Sequence, residues 1–148
     1  MPHLTIFYTP NLDRTIDQGG TDMQALCAAL AETMIAQRDD TGRPVFPVGG
    51  VRVLASPATH YVVADGGHAG RAAGGSGDYA FVYLNLRMAS GRSPAVQQAV
   101  GQALDACVER HFAGLLSTRH IGITLQIDEG REVFNSRSSS LHPLFERG

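Results

Sequence analysis

Apolar and polar positions follow two rhythms along this chain, and the switches between them mark its elements. Residues 3–8, HLTIFY, are rich in β-branched and aromatic types and predict a strand. A polar loop runs from Asn11 to Gly20. Met23, Leu26, Leu30 and Met34 then recur at spacings of three and four, the signature of a helix burying one face. Thr21 or Asp22 supplies its N-cap, and it should end near Arg38, before a turn from Asp39 to Pro47. Residues 50–55, GVRVLA, and 60–64, HYVVA, predict two short strands on either side of Ser56 and Pro57. Six glycines between Gly66 and Gly77 read as a flexible hairpin connection, since no strand, GxGxxG and helix succession accompanies them. Residues 79–88, YAFVYLNLRM, give the strongest strand signal and belong centrally in a sheet. Ser93 then makes an N-cap and Pro94 a first helical residue. Val96, Val100, Leu104, Cys107 or Val108, His111 and Leu115 trace one face of a long helix ending near Ser117, and 120–128, HIGITLQID, forms the last main strand.

Two strand, helix and strand units result, over residues 3–55 and 79–128. A helix joining two strands of one sheet implies parallel pairing with a right-handed crossover. The expected fold is therefore α+β: a mixed four-stranded sheet with two helices on one face, in a single domain spanning residues 1–148. The opposite face would be open and apolar, and Phe134, Leu141, Leu144 and Phe145 load the tail with further apolar side chains. Both features predict an oligomer.

Composition narrows the chemistry. The length of 148 residues and 43% hydrophobic content suit one domain with an ordinary core. Net charge is −2 and the arginines are scattered, which argues against a nucleic-acid partner. With no membrane-length apolar stretch and no secretion signal, a cytoplasmic protein is expected. All 12 basic residues are Arg, so a Walker A lysine, a Schiff-base lysine and a lysine general base are excluded together. Cys27 and Cys107 lie in apolar patterns and read as core thiols. The histidines at 3, 60, 68, 111, 120 and 142 form no metal-ligand spacing, and Ser93 sits outside any GxSxG elbow. Neither a metal nor a cofactor is expected.

What remains is Pro2. Removal of Met1 would leave a secondary amine at the start of a strand. An α-amino group titrates ordinarily at about 7.7 to 8.0, and an apolar pocket favours its neutral form, which makes it a usable base.

Pro2 and His3 at the start, GVR at Gly50 to Arg52, DYAFVYLNLRMASGRS from Asp78 to Ser93, and FNSRSSSLHPLF from Phe134 to Phe145 resemble the 5-carboxymethyl-2-hydroxymuconate isomerases of the tautomerase superfamily. The match runs in order along the whole chain. The resemblance implies a homotrimer with the proline in a pocket near a subunit boundary. It further implies that Pro2 is the acid/base and that Arg52 and Arg92 clamp the carboxylates of a small polycarboxylate substrate from aromatic catabolism. The alternative is a non-catalytic trimeric relative that keeps an anion pocket, and for the two arginines the plainer role is a surface or inter-subunit ion pair. His3 is either a pocket wall or a strand residue, while Tyr8, Tyr79 and Phe81 belong to the core. Two segments depart from the family pattern: Thr9 to Gly49 is longer, and Gly66 to Gly77 looks inserted. Either would alter substrate choice if it borders the pocket.

Overall fold

The computed structural model describes residues 2–146. Four strands make one sheet: β1 (His3–Tyr8), β2 (Arg52–Pro57), β3 (Ala80–Ala89) and β4 (Ile121–Gly130). Their order is β2-β1-β3-β4, with β1 parallel to β2, antiparallel to β3, and β3 parallel to β4. Each parallel pair is bridged by one helix, α1 (Met23–Ala36) or α3 (Pro94–Thr118), as the two-unit pattern requires. A short helix, α2 (His68–Ala72), lies between β2 and β3.

Alternation along the strands sets the core. Leu4, Ile6 and Tyr8 of β1 and Ala80, Val82, Leu84, Leu86 and Met88 of β3 are buried on the helix-covered face. Against them pack Met23, Leu26, Leu30 and Met34 of α1. From α3 come Val96, Val100, Leu104, Cys107, Val108 and Phe112. The caps form with the expected side chains, since Asp22 accepts from Ala25 N at 3.0 Å and Ser93 from Val96 N at 3.2 Å. Pro94 opens α3.

Several expectations need correction. Residues 60–64 form no strand. Strand β2 is displaced toward the C-terminus and takes in Ser56 and Pro57, which is possible because β2 is an edge strand and one side of it needs no ladder donor. The glycine-rich segment is not a bare hairpin connection: it folds around α2, with Tyr79 Oη accepting from Gly70 N at 2.7 Å. On α3 the core position falls to Phe112, while His111 is half-buried and bonded through Nε2 to Thr21 Oγ1 at 2.8 Å. Cys27 is half-buried, and burial raises its thiol pKa. Of the aromatic residues assigned to the core, Tyr8 is buried, whereas Tyr79 and Phe81 are only half-buried.

The open sheet face differs from expectation in character. Register places Phe7, Ser56, Tyr83 and Thr124 in one cross-strand row, and His3, Arg52, Arg87 and Asp128 in another, two rows nearer the N-terminal end of β1. The face is therefore graded, apolar where Phe7 and Phe81 lie and charged where His3 lies. Leu54 stands exposed between the two ends.

Candidate functional site

Pro2 occupies the position before β1 and is buried. It falls in step with Leu4 and Ile6, so the same alternation that builds the core carries it under the helices. Met1, whose removal the amine chemistry requires, lies outside the described residues.

The pairing of the strands brings the two arginines to this end. Arg52 opens β2 opposite His3, because β1 and β2 run parallel. Its Nη1 donates to the carbonyls of Gly49 at 3.0 Å and Val51 at 2.8 Å, which fixes the guanidinium at the mouth of the strand. Since β3 runs the other way, its C-terminal end lies here too, with Arg87 beside His3. Arg92 follows in the short connection to α3. Its Nη1 donates to Ala89 O and its Nη2 to Val45 O, each at 3.0 Å, and its guanidinium carbon lies 5.3 Å from the centre of the Phe46 ring. A guanidinium has five N–H donors, so both arginines retain donors after these bonds. Among the described residues neither pairs with a carboxylate, so the ion-pair role is not realised there.

Residues 45–46 were missed as site residues in the sequence. Phe46 is fully buried and supports Arg92 with its ring while Val45 supplies a carbonyl. The signal was present: Val45 and Phe46 are the only large apolar side chains within an otherwise polar turn. Beside Arg92 lies a cavity of about 480 Å³ reached by Asp39, Thr41, Ser90 and Ser93. The Asp39 carboxylate is committed to its own turn, accepting from Thr41 Oγ1 at 2.7 Å and from Thr41 N and Arg43 N, and these bonds hold its pKa below the usual range. Among the described residues Pro2 and Arg52 do not line this cavity. His3 is exposed.

The far end of the sheet is organised differently. Asp78 accepts from Arg14 Nη1 at 2.6 Å, from Asn11 Nδ2 at 3.1 Å and from Arg119 Nη2 at 3.3 Å. Burial alone would raise its pKa, but these donors and the two cations outweigh it and lower the net value. Arg119 also donates to Gly19 O and Asp78 O. This network ties the first loop to β3 and β4. Within one protomer the Gly66 to Gly77 segment belongs to this end, remote from Pro2, while the long Thr9 to Gly49 segment does reach the site through Val45 to Gly49.

Comparison with known proteins decides the family. The family model described as 5-carboxymethyl-2-hydroxymuconate isomerase matches residues 2–145. The chain belongs to that family. A 5-carboxymethyl-2-hydroxymuconate Delta-isomerase of Escherichia coli is 29% identical over 146 residues, covering 99% of this chain and all of that protein. A crystal structure of a 5-carboxymethyl-2-hydroxymuconate delta-isomerase superposes with a TM-score of 0.93 at 53% identity, covering 100% of this chain and 95% of the other. Another, from Deinococcus radiodurans R1, gives 0.76 at 30% identity over 97% and 93% of the two chains. The resemblance read from the sequence and the isomerase class it implied are borne out, as is the α+β fold.

Proposed function

We propose that this member of the 5-carboxymethyl-2-hydroxymuconate isomerase family ketonises an unsaturated 2-hydroxy polycarboxylate without a cofactor, with Pro2 as acid/base and Arg52 and Arg92 as carboxylate clamps. The observation that carries the residue roles is a buried Pro2 at the same sheet end as two guanidinium groups that, among the described residues, have no carboxylate partner. With Met1 removed, the neutral ring nitrogen takes the enol hydroxyl proton. The oxygen's electron pair forms the carbonyl, the double bonds shift along the conjugated chain, and the distal carbon takes a proton back from the ammonium. One amine acts first as base and then as acid, so no second titratable group is needed. Guanidinium groups suit the substrate because they bind carboxylates through paired charge-assisted bonds, and they stabilise negative charge developing on the conjugated oxygen.

The working unit in this reading is a homotrimer of single-domain, cytoplasmic chains. Its support is the open sheet face, where Phe7 is 56% and Leu54 60% exposed, together with Phe134, Leu144 and Phe145 left in solvent on the tail. A neighbouring subunit would also close the site that one chain leaves open. Among the described residues no helix is long and apolar enough to cross a membrane.

The test follows enol ketonisation by absorbance in the wild-type protein and in Pro2→Ala. Loss of about 10²-fold or more in kcat, the usual contribution of a positioned acid/base, is expected. Equal turnover by the two proteins would reject the proline as proton carrier.

A further inference from the structure

The tail returns to the end of the sheet where Pro2 and the arginines lie, and it does so by a specific contact. A single helical turn, His142–Leu144, packs on the turn Val48–Gly50 that precedes β2. Gly49 is buried beneath it: a Cβ at that position would lie 3.0 Å from Phe145 Cδ2, 3.3 Å from His142 Cα and 3.5 Å from His142 Cδ2. A side chain at this position would crowd the tail, which would have to yield by a few tenths of an ångström. The carbonyl of this same glycine holds Arg52. One residue is thus clasped by the tail and by a proposed carboxylate clamp.

The tail brings a cation with it. Arg137 Nη1 lies 3.4 Å from His142 Nε2, and His142 Nδ1 lies 2.8 Å from Ser139 Oγ. Arginine can only donate, so Nε2 is the acceptor and Nδ1 carries the ring proton toward Ser139. Ser139 Oγ also accepts from Leu141 N at 3.1 Å and His142 N at 3.3 Å, which sets the turn. Cδ2 adjoins Nε2 in the ring, so the edge turned toward Gly49 is the edge that seats Arg137. Arg137 has no carboxylate partner among the described residues. Arg52 is therefore fastened to Gly49 itself and Arg137 to the His142 ring packed on Gly49, each by uncharged acceptors and each with donors to spare.

We infer that the C-terminal segment is a wall of the substrate site, and that Arg137, seated on His142, binds a substrate carboxylate beyond those taken by Arg52 and Arg92. This rests on the proposed reaction and adds the number of carboxylates the site selects for. A small acid with two carboxylates would use the two clamps, and a third carboxylate on a side branch would reach Arg137.

The experiment compares kcat and KM for two enols, the tricarboxylate 5-carboxymethyl-2-hydroxymuconate and the dicarboxylate lacking its carboxymethyl branch, in wild-type, Arg137→Gln and Arg137→Lys proteins. The preference for the tricarboxylate in kcat/KM should fall about tenfold in Arg137→Gln, the low end expected for one solvated charged hydrogen bond, mainly through KM, and Arg137→Lys should recover part of it. An unaltered preference in Arg137→Gln, with wild-type turnover intact, overturns the role of Arg137 and leaves the proline mechanism standing. Absence of wild-type turnover of both enols overturns the proposed reaction and this inference together. Arg137 is exposed, so its replacement does not threaten the core.

Discussion

Arg92 shows how one side chain can brace the fold and still serve a ligand. Two of its five N–H groups hold Ala89 O and Val45 O, and the Phe46 ring lies under its guanidinium. The remaining donors and the full charge are available to an anion, and a guanidinium presented by fixed carbonyls loses little freedom on binding. Removing it by Arg92→Ala should weaken binding of a dicarboxylate inhibitor by about 1.5 to 3 kcal/mol, or about 10- to 150-fold in Kd by titration calorimetry. An unchanged Kd would leave Arg92 as a brace for Val45 and Ala89 alone. Tyr8 is the opposite case, a polar group wholly given to structure. Its hydroxyl donates to Asp13 at 2.8 Å, and burial, reinforced by that acceptor, lifts its pKa to about 12.

At the scale of elements, the tie between α1 and α3 runs through His111, whose Nε2 meets Thr21 beside the N-terminus of α1. Burial lowers the pKa of His111 from the usual 6.5, against a smaller opposing pull from Asp22. The folded state thus binds fewer protons than the unfolded state just below pH 6.5, so this group's stability is complete above that pH and is lost as pH falls through the folded value. His111→Gln should flatten the fall in urea-unfolding free energy between about pH 6.5 and 5. Equal slopes in both proteins would show that His111 is not proton-linked to folding. The elements themselves were largely legible. Met23, Leu26, Leu30 and Met34 announced α1, and Ser93 followed by Pro94 fixed the start of α3, because spacing and caps are local signals. The failures were nonlocal. HYVVA at 60–64 has strand composition but meets no partner strand, and Phe112 continues the buried stripe of Val96, Val100, Leu104 and Val108 while His111, one position off it, is half-buried and bonded to Thr21, 90 residues away. Pro2 came to notice by elimination, as a prospective amine at the start of a strand, and Arg52 and Arg92 through the family resemblance, while Phe46 and His142 escaped because their parts depend on contacts that only the folded chain assembles.

At the scale of the whole molecule, the open sheet face is graded from apolar to charged. Its apolar end exposes Phe7, its charged end sets His3 beside Arg52 and Arg87, and the tail leaves Phe134 at 87% exposure. Burial of the apolar end between subunits would leave the charged end near a subunit boundary, beside Pro2. For the proposed homotrimer, light scattering should return about three times the 15.8 kDa chain mass. Phe7→Glu, which would bury a charge in that contact, should shift the protein to one chain mass and depress turnover with it. A wild-type protein of one chain mass would remove the basis for a shared site.

Proton transfer by Pro2 requires a free ring nitrogen, and intact mass spectrometry of catalytically active protein reads the state of that nitrogen directly. The predicted result is a chain lighter by one methionine residue, with activity lost in a form that retains Met1. Full activity in protein whose mass still includes Met1 would contradict the account, because an amide nitrogen cannot carry the proton.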